Sequence, residues 1–278
     1  MSKVPLPEDL ETVVSRALAE DVGSGDITAE LIEANLSVSA KIMAKESGVL
    51  CGGPWAEQSF HQLAATIDLD WLVEEGEEFE AGQTIVSIAG EARPIMTGER
   101  TALNFLQTLS GTATQARGLV NSVSHTPVTL LDTRKTLPGL RTAQKYAVRV
   151  GGAENHRMGL YDAFLIKENH IVSCGGIEPV ITRARNLHPG KTVEIEVQNL
   201  AQLETAISAG ADVVMLDNFD LNTTKEAVKI NGKRARLEAS GGIDEVTLVS
   251  IAETGVDYIS IGALTKNCRA IDLSLLID

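Results

Sequence analysis

Apolar and polar positions change rhythm several times along this chain of 278 residues. From about residue 8 to 20, Leu10, Val13, Val14, Ala17 and Leu18 recur at helical spacing and the pattern stops before Gly23-Ser24-Gly25, which predicts an amphipathic helix. Asp26 is placed to cap a second short helix through Leu31 and Ile32. Between Val38 and Ile95 short alternating runs are broken by Gly48, Gly52-Gly53, Gly76, Gly82 and Gly90, so this stretch is predicted to be β-rich. A helical stretch follows from Thr97 to Val123, carrying Leu103, Leu106, Leu109 and Leu119 together with Arg100 and Arg117.

After Pro127 a different regularity begins. Short apolar runs each end in a polar or glycine residue: Val128 to Leu131 then Asp132, Ala163 to Ile166 then Lys167, and Val193 to Ile195 then Glu196. Three more follow: Val213 to Leu216 then Asp217, Leu237 to Ala239 then Ser240, and Tyr258 to Ile261 then Gly262. The end points recur every 21 to 35 residues, the length of one strand, one helix and two loops. Six such units with apolar strands predict an α/β fold built on an open or incomplete (β/α) barrel, since parallel strands need crossover helices and cover on both faces. Working residues of barrels sit at the C-terminal ends of strands, where Asp132, Lys167, Glu196, Asp217 and Ser240 fall. For any single member the plainer reading is a helix cap.

Composition narrows the setting. Hydrophobic residues make up 44% of the chain, enough for a substantial core. A formal net charge of -14 opposes nucleic acid and anionic membranes as partners. No run of about 18 apolar residues exists to span a membrane, and Met1 to Leu10 lacks the basic flank and apolar run of a signal peptide. Cys51, Cys174 and Cys268 are odd in number and far apart, which argues against a disulfide framework or a zinc site and for a reduced, cytoplasmic setting. Against the acidic background, Leu131 to His170 holds seven bases (Arg134, Lys135, Arg141, Lys145, Arg149, Arg157, Lys167) and four acids (Asp132, Glu154, Asp162, Glu168). A solvated basic helix face would account for this; so would a pocket for a small, multiply charged anion.

The last two barrel units end in Ser240-Gly241-Gly242 and Gly262-Ala263-Leu264-Thr265, loops suited to phosphate because glycine lets backbone N–H groups approach its oxygens. Glu196 and Asp217 end successive strands, and two neighbouring carboxylates above a phosphate site can hold Mg2+, partly through water, or accept from ribose hydroxyls. Glu194 shares the Glu196 face and is expected deeper in the barrel, and one of these acids could instead pair with Lys167. Arg134, Arg157, Lys135 and Lys167 together could grip a dicarboxylate and a pyrophosphate, because Arg presents a planar fork and Lys a compact charge. His156 could meet a carboxylate as imidazolium or satisfy a backbone carbonyl.

These residues lie in motifs that resemble a known family. D-T-R-K-T from Asp132, G-G-A-E-N-H-R from Gly151, L-I-K-E-N-H from Leu165, E-I-E-V from Glu194, M-L-D-N from Met215, E-A-S-G-G-I from Glu238 and I-G-A-L-T from Ile261 are similar to those of quinolinate phosphoribosyltransferase, the decarboxylating enzyme of NAD synthesis. E-D-x-G-S-G-D-I-T from Glu20 and T-G-E-R-T-A-L-N-F-L-Q from Thr97 extend the resemblance over nearly the whole chain. It implies a smaller N-terminal α/β open-faced sandwich over residues 1–110 and a barrel-like catalytic domain over 111–278, with the extreme C-terminus packing back on the first. It implies a homodimer with shared active sites, extendable to a higher oligomer.

By motif position, Arg134, His156, Arg157 and Lys167 should contact quinolinate, with Arg100 reaching in from the neighbouring copy. Lys135, Lys167, Glu196, Asp217, Ser240, Gly241 and Gly262 should surround 5-phosphoribosyl-1-pyrophosphate (PRPP) and its Mg2+; no organic cofactor is implied. Lys266 stands where the family often has histidine, and either cation can meet pyrophosphate.

Three other readings compete. Lys167 could be a Schiff-base lysine of a barrel aldolase, which favours a desolvated amine. The Gly76 to Gly90 stretch has the rhythm of a lipoyl- or biotinyl-carrier hairpin but no lysine between Lys45 and Arg93. A relative using another acceptor, such as the molybdenum-associated homologues, is separated by the pocket: three arginines and a histidine suit two adjacent carboxylates, and a monocarboxylate would leave buried cations unmatched.

Overall fold

The computed structural model describes residues 4–278, so the first three positions of the N-terminal stretch read above for signal character lie outside the described residues. The chain forms two compact units, each drawn from more than one stretch of sequence. One comprises the chain up to Arg117 with Thr136–Gly152 and Thr265–Asp278; the other comprises Gly118–Lys135 and Ala153–Leu264.

In chain order the elements are α1 (Leu10–Val22), β1 (Ser37–Ala44), β2 (Gly48–Val49), α2 (Gly53–His61), β3 (Asp68–Trp71), β4 (Glu78–Phe79), β5 (Thr84–Glu91) and α3 (Ala92–Ser122). They continue as β6 (Thr129–Leu131), α4 (Arg141–Val150), β7 (Phe164–Ile166), α5 (Glu168–Ser173), α6 (Ile177–Leu187), β8 (Val193–Val197) and α7 (Leu200–Ser208). The last are β9 (Val213–Asp217), α8 (Leu221–Asn231), β10 (Arg236–Ser240), α9 (Leu248–Ala252), β11 (Tyr258–Ser260), α10 (Ala263–Lys266) and β12 (Leu273–Ile277).

The first unit carries a four-stranded antiparallel sheet in the order β12-β1-β5-β3. Side chains alternate across it, as the pleat dictates. Ala40, Ile42 and Ala44 of β1 with Val86 and Ile88 of β5 are buried in one core with Phe60 of α2 and Ile95, Leu103 and Leu106 of α3. The opposite positions of β1, Ser39 and Lys41, are not buried, so the sandwich is open-faced. The C-terminal strand closes its edge, with Ala40 opposite Ile277 and Ala44 opposite Leu273.

Three expectations change here. The β-rich stretch contains a helix, α2, which begins where Gly52 adopts φ +101 and Pro54 enters the first turn. Its first N–H groups are met by a buried carboxylate: Gly52 N and Gly53 N donate to Glu75 at 2.8 and 3.0 Å. Asp26 caps only a single 3-10 turn, Ala29–Leu31, accepting from Thr28 N and Ala29 N at 3.0 Å each. The stretch read as a carrier hairpin supplies β4, which pairs with β2, and β5, an interior strand between β1 and β3.

The second unit is built on a six-stranded sheet in the order β6-β11-β10-β9-β8-β7, with every pair parallel. All six expected strands form. No ladder joins β6 to β7 among the described residues, so the barrel is open between them. Along β6 the returning chain forms a bridge: Glu154 N donates to Leu130 O at 2.9 Å and Asp132 N to Glu154 O at 3.1 Å. This fixes where Asn155, His156 and Arg157 begin. The helix that follows β6 in sequence, α4, belongs to the first unit. No helix among the described residues is long and apolar enough to cross a membrane.

Candidate active site

The parallel register places the polar strand ends at one end of the sheet, Ser240 directly opposite Asp217 and Glu196 opposite Met215. Helix capping does not explain the acids. Asn199 Oδ1 accepts from Gln202 N at 3.0 Å to cap α7, and Asp220 Oδ1 accepts from Thr223 N at 2.8 Å to cap α8. Glu196 and Asp217, each three residues earlier, are left for other work.

Asp132, the residue after β6, is fully buried and organises the loop beside it. Asn155 Nδ2 donates to its Oδ2 at 2.7 Å and His156 N to its Oδ1 at 2.9 Å. Arg157 Nη1 reaches Ala163 O at 3.2 Å. Burial, and then the nearby Arg134 charge, lower the affinity of the Arg157 guanidinium for its proton, with Glu194 opposing. Two guanidinium groups that feel one another's charge favour an anion between them, above all one with two carboxylates.

Lys167 follows β7, and its Nζ lies 2.5 Å from Glu196 Oε2. About half of the Lys167 side chain is exposed, unlike the desolvated amine a Schiff base needs. The expected alternative, an acid paired with Lys167, is therefore what Glu196 provides. On the phosphate side the Lys135 side chain lies across Gly262, so close that a Cβ added at Gly262 would stand 3.1 Å from Lys135 Cδ. Gly241 has φ +96, and a Cβ there would run into the side-chain amide of Asn218. Asn218 itself, at φ +56, donates from N to Ser240 O and from Nδ2 to Asp217 Oδ1, both at 2.9 Å. It ties the Asp217 strand end to the Ser240-Gly241 turn, and the sequence reading assigned it no role.

Arg100 and Lys266 belong to the first unit. Arg100 is on α3 with its side chain 60% exposed, 3.9 Å from Glu99 Oε1, and Lys266 is exposed in the last turn of α10.

His156 is held on both ring nitrogens by groups of the protein itself. Its Nδ1 accepts from Arg157 N at 2.8 Å, so Nε2 carries the hydrogen and points to Glu194 Oε2 at 3.0 Å and Glu238 Oε2 at 3.5 Å. Both ring nitrogens are engaged by the protein, and the ring is held by a backbone N–H and carboxyls rather than by a backbone carbonyl. Glu194 lies deep in the barrel as expected. Glu238 was quoted only as part of a motif, and it is the most buried of the three at 1% exposure.

Burial first, then the Glu194 charge, push the Glu238 carboxyl up to about 8 from 4.5. Between those values the folded protein keeps a proton that the unfolded chain has lost, so this group makes stability fall as pH rises from about 4.5 to about 8. Glu238→Gln should flatten that fall in thermal melts across the interval. Identical pH slopes in variant and wild type would show that Glu238 is ionised in the fold.

A magnesium ion fits the strand ends better than it fits this buried trio. Glu196 and Asp217 offer oxygen donors on adjacent strands and are partly open to solvent, which suits an ion that retains several waters.

The chain matches two family models, "Quinolinate phosphoribosyl transferase, N-terminal domain" over residues 26–110 and "Quinolinate phosphoribosyl transferase, C-terminal domain" over residues 112–276. It is 38% identical over 267 residues to a Bacillus subtilis protein named as a probable nicotinate-nucleotide pyrophosphorylase (carboxylating), covering 96% of this chain and 92% of that one. It is 35% identical over 291 residues to quinolinate phosphoribosyltransferase (decarboxylating) 1b of Nicotiana tabacum, covering 97% and 83%. Among solved structures, the nicotinate-nucleotide pyrophosphorylase of Francisella tularensis superposes with a TM-score of 0.96 at 48% identity over 100% of this chain and 99% of that one.

Proposed function

The chain belongs to the quinolinate phosphoribosyltransferase family, and from that premise we propose which of its residues run the reaction. The enzyme transfers the phosphoribosyl group of PRPP to the ring nitrogen of quinolinate and decarboxylates the product, giving nicotinate mononucleotide, pyrophosphate and CO2 for NAD biosynthesis. The observation that carries the assignment is the split of cations at the sheet's polar end. The Arg134 charge is felt at Arg157 on the β6 side, and Lys135 lies over the glycine that follows β11.

In this reading Arg134 and Arg157 hold the two carboxylates of quinolinate, with Lys167 beside them. His156 orients the Arg157 backbone from behind. Arg100, exposed on α3, serves the acceptor pocket of a neighbouring copy in a homodimer with shared active sites. Ser240, Gly241 and Gly262 receive the phosphates of PRPP through backbone N–H and hydroxyl groups, as phosphate loops after late barrel strands do. Lys135 faces pyrophosphate, and Glu196 and Asp217 would hold Mg2+, which when bound neutralises charge on the leaving pyrophosphate. A cytoplasmic setting accords with three separated, unpaired thiols.

The chemistry asks mainly for positioning and electrostatics. The bond from the anomeric carbon to pyrophosphate breaks, its electron pair leaving with pyrophosphate, where Lys135 stabilises the charge. The pyridine nitrogen supplies the pair for the new C–N bond. The ring is then cationic and stabilises the electron pair left on the carbon beside nitrogen when its carboxylate departs as CO2; that pair takes up a proton.

The test is turnover of purified protein with PRPP and Mg2+, given quinolinate or nicotinate in parallel. Product and CO2 are expected from quinolinate, with nicotinate poorer by at least about two orders of magnitude, since losing one carboxylate leaves a guanidinium unmatched in a partly desolvated pocket. Comparable turnover of both acceptors would remove the dicarboxylate reading of Arg134 and Arg157.

A further inference from the structure

The loop that carries Arg157 is tied to β6 through Glu154, which bridges that strand, and through Asp132, which accepts from Asn155 Nδ2 and His156 N at 2.7 and 2.9 Å. Beyond β6 the barrel is open, since no ladder joins β6 to β7 among the described residues. A tether on that far side comes from the His156 ring, whose Nε2 lies 3.0 Å from Glu194 Oε2 on β8, the strand next to β7. Glu238 Oε2 on β10 is farther away, at 3.5 Å, the limit of a hydrogen bond. The His156 and Glu194 side chains are only 10% and 6% exposed, and Glu194 Oε1 has no hydrogen-bond partner among the described residues. A buried carboxyl with one short partner is costly, and leucine would fill a similar volume without that cost, so packing does not account for Glu194.

We propose that Glu194 is a positioning residue for acceptor recognition: it fixes the tautomer of His156, and through that ring the point from which the Arg157 side chain reaches a carboxylate of the acceptor. The inference rests on the assignment of Arg157 to the acceptor given above.

A neutral imidazole carries one hydrogen. With Glu194 accepting at Nε2 the hydrogen stays there, and Nδ1 keeps its lone pair for Arg157 N at 2.8 Å. That bond, from a side chain to the very next N–H, fixes the peptide joining His156 to Arg157 and with it the direction in which the Arg157 side chain leaves the loop. The far end of the side chain is held as well, Nη1 donating to Ala163 O at 3.2 Å, and a guanidinium has further N–H groups to offer a carboxylate. Without Glu194 the hydrogen can move to Nδ1, where it opposes the Arg157 N–H, and the loop loses its inward tether in the same step. The same count of hydrogens keeps a metal ion off His156, Glu194 and Glu238: an ion on Nε2 would drive the hydrogen to Nδ1, against Arg157 N.

The experiment compares Glu194→Leu, which fills the volume and accepts nothing, with Glu194→Gln, which keeps an oxygen for Nε2. The ligands are PRPP and, separately, phthalate, which has two adjacent carboxylates and no ring nitrogen to alkylate. By calorimetry Glu194→Leu should weaken phthalate by at least about tenfold, the scale of a lost hydrogen bond to a charged group, with PRPP affinity within about threefold of wild type. Glu194→Gln should hold both affinities within about threefold of wild type. A second reading needs no change at Glu194: in nitrogen NMR of the wild type, the His156 ring, assigned as the signal lost in His156→Asn, should carry its hydrogen on Nε2 alone. A ring protonated on Nδ1 or on both nitrogens overturns the proposal, even should the leucine variant not fold. A folded Glu194→Leu with unchanged phthalate affinity, an equal loss of both ligands, or a glutamine variant as impaired as the leucine one overturns it too. Each of these leaves the acceptor reading of Arg157 standing, whereas wild type that fails to bind phthalate removes that reading and the proposal with it.

Discussion

Arg134→Ala should abolish measurable quinolinate binding while leaving PRPP binding within a few-fold of wild type. Arg134 follows β6 on the side where Asp132 pins Asn155 and His156, and its charge is felt by Arg157. Truncating one side of a desolvated, hydrogen-bonded charge pair typically costs about 2–5 kcal/mol, or roughly 30-fold to several thousandfold in affinity. A dicarboxylate gripped by two forks would lose half its partners and leave one carboxylate unmatched. PRPP meets a different set: the Ser240-Gly241 turn, Gly262 and Lys135, grouped around the ends of β10 and β11. Removing Arg134 should even relieve the repulsion it exerts on Arg157. Titration calorimetry with each substrate alone reads both affinities, and equal losses for the two would sink this division of labour.

Much of the second unit was legible because its strands are buried on both faces. Continuous apolar runs ending in polar residues can hardly be anything else when they recur at one strand-plus-helix spacing, and each of the six formed within two residues of its expected limits. The same logic found Lys167, Glu196, Asp217 and Ser240 at strand ends. What escaped depends on which residues meet through space. Glu238 and Glu194 interrupt apolar runs, and alternation alone turns both inward, but only register brings them to one histidine. Charged residues at inward positions of a buried strand were the available signal.

Asn218 was hidden for a similar reason: its work is a backbone bond to Ser240 and a side-chain bond to Asp217, on two adjacent strand ends. In the first unit α2 was masked by glycines that also read as strand punctuation. Gly52-Gly53-Pro54 is a helix start once the proline is weighed, because proline is tolerated in a first turn whose N–H groups lack helical partners. Assignment of α4 to the first unit could not be read from periodicity, since a crossover helix has the same amphipathic pattern whatever it packs against.

Gly241→Ala should remove most PRPP affinity, by at least about a hundredfold, while Gly242→Ala one residue further on should cost less than about tenfold. Both glycines have positive φ, +96 and +61, so each substitution carries a backbone penalty of about 1–2 kcal/mol. The difference lies in what the new methyl meets. At Gly242 there is nothing within 4 Å, whereas at Gly241 it collides with the Asn218 amide. Asn218 cannot simply step aside, because its N–H is bonded to Ser240 O and its Nδ2 to Asp217. Relief therefore has to come from the turn itself, moving the N–H groups meant for phosphate, or from the Asp217 carboxylate, which shares the PRPP side of the site. Both routes damage the same ligand. Gly241 is exposed, so the fold should survive, with phthalate binding within threefold and the melting temperature lowered by only a few degrees. Calorimetric PRPP affinities for the two variants decide the matter: a large loss at Gly241 alone places phosphate on this turn, and equal small losses would move the PRPP phosphates off it.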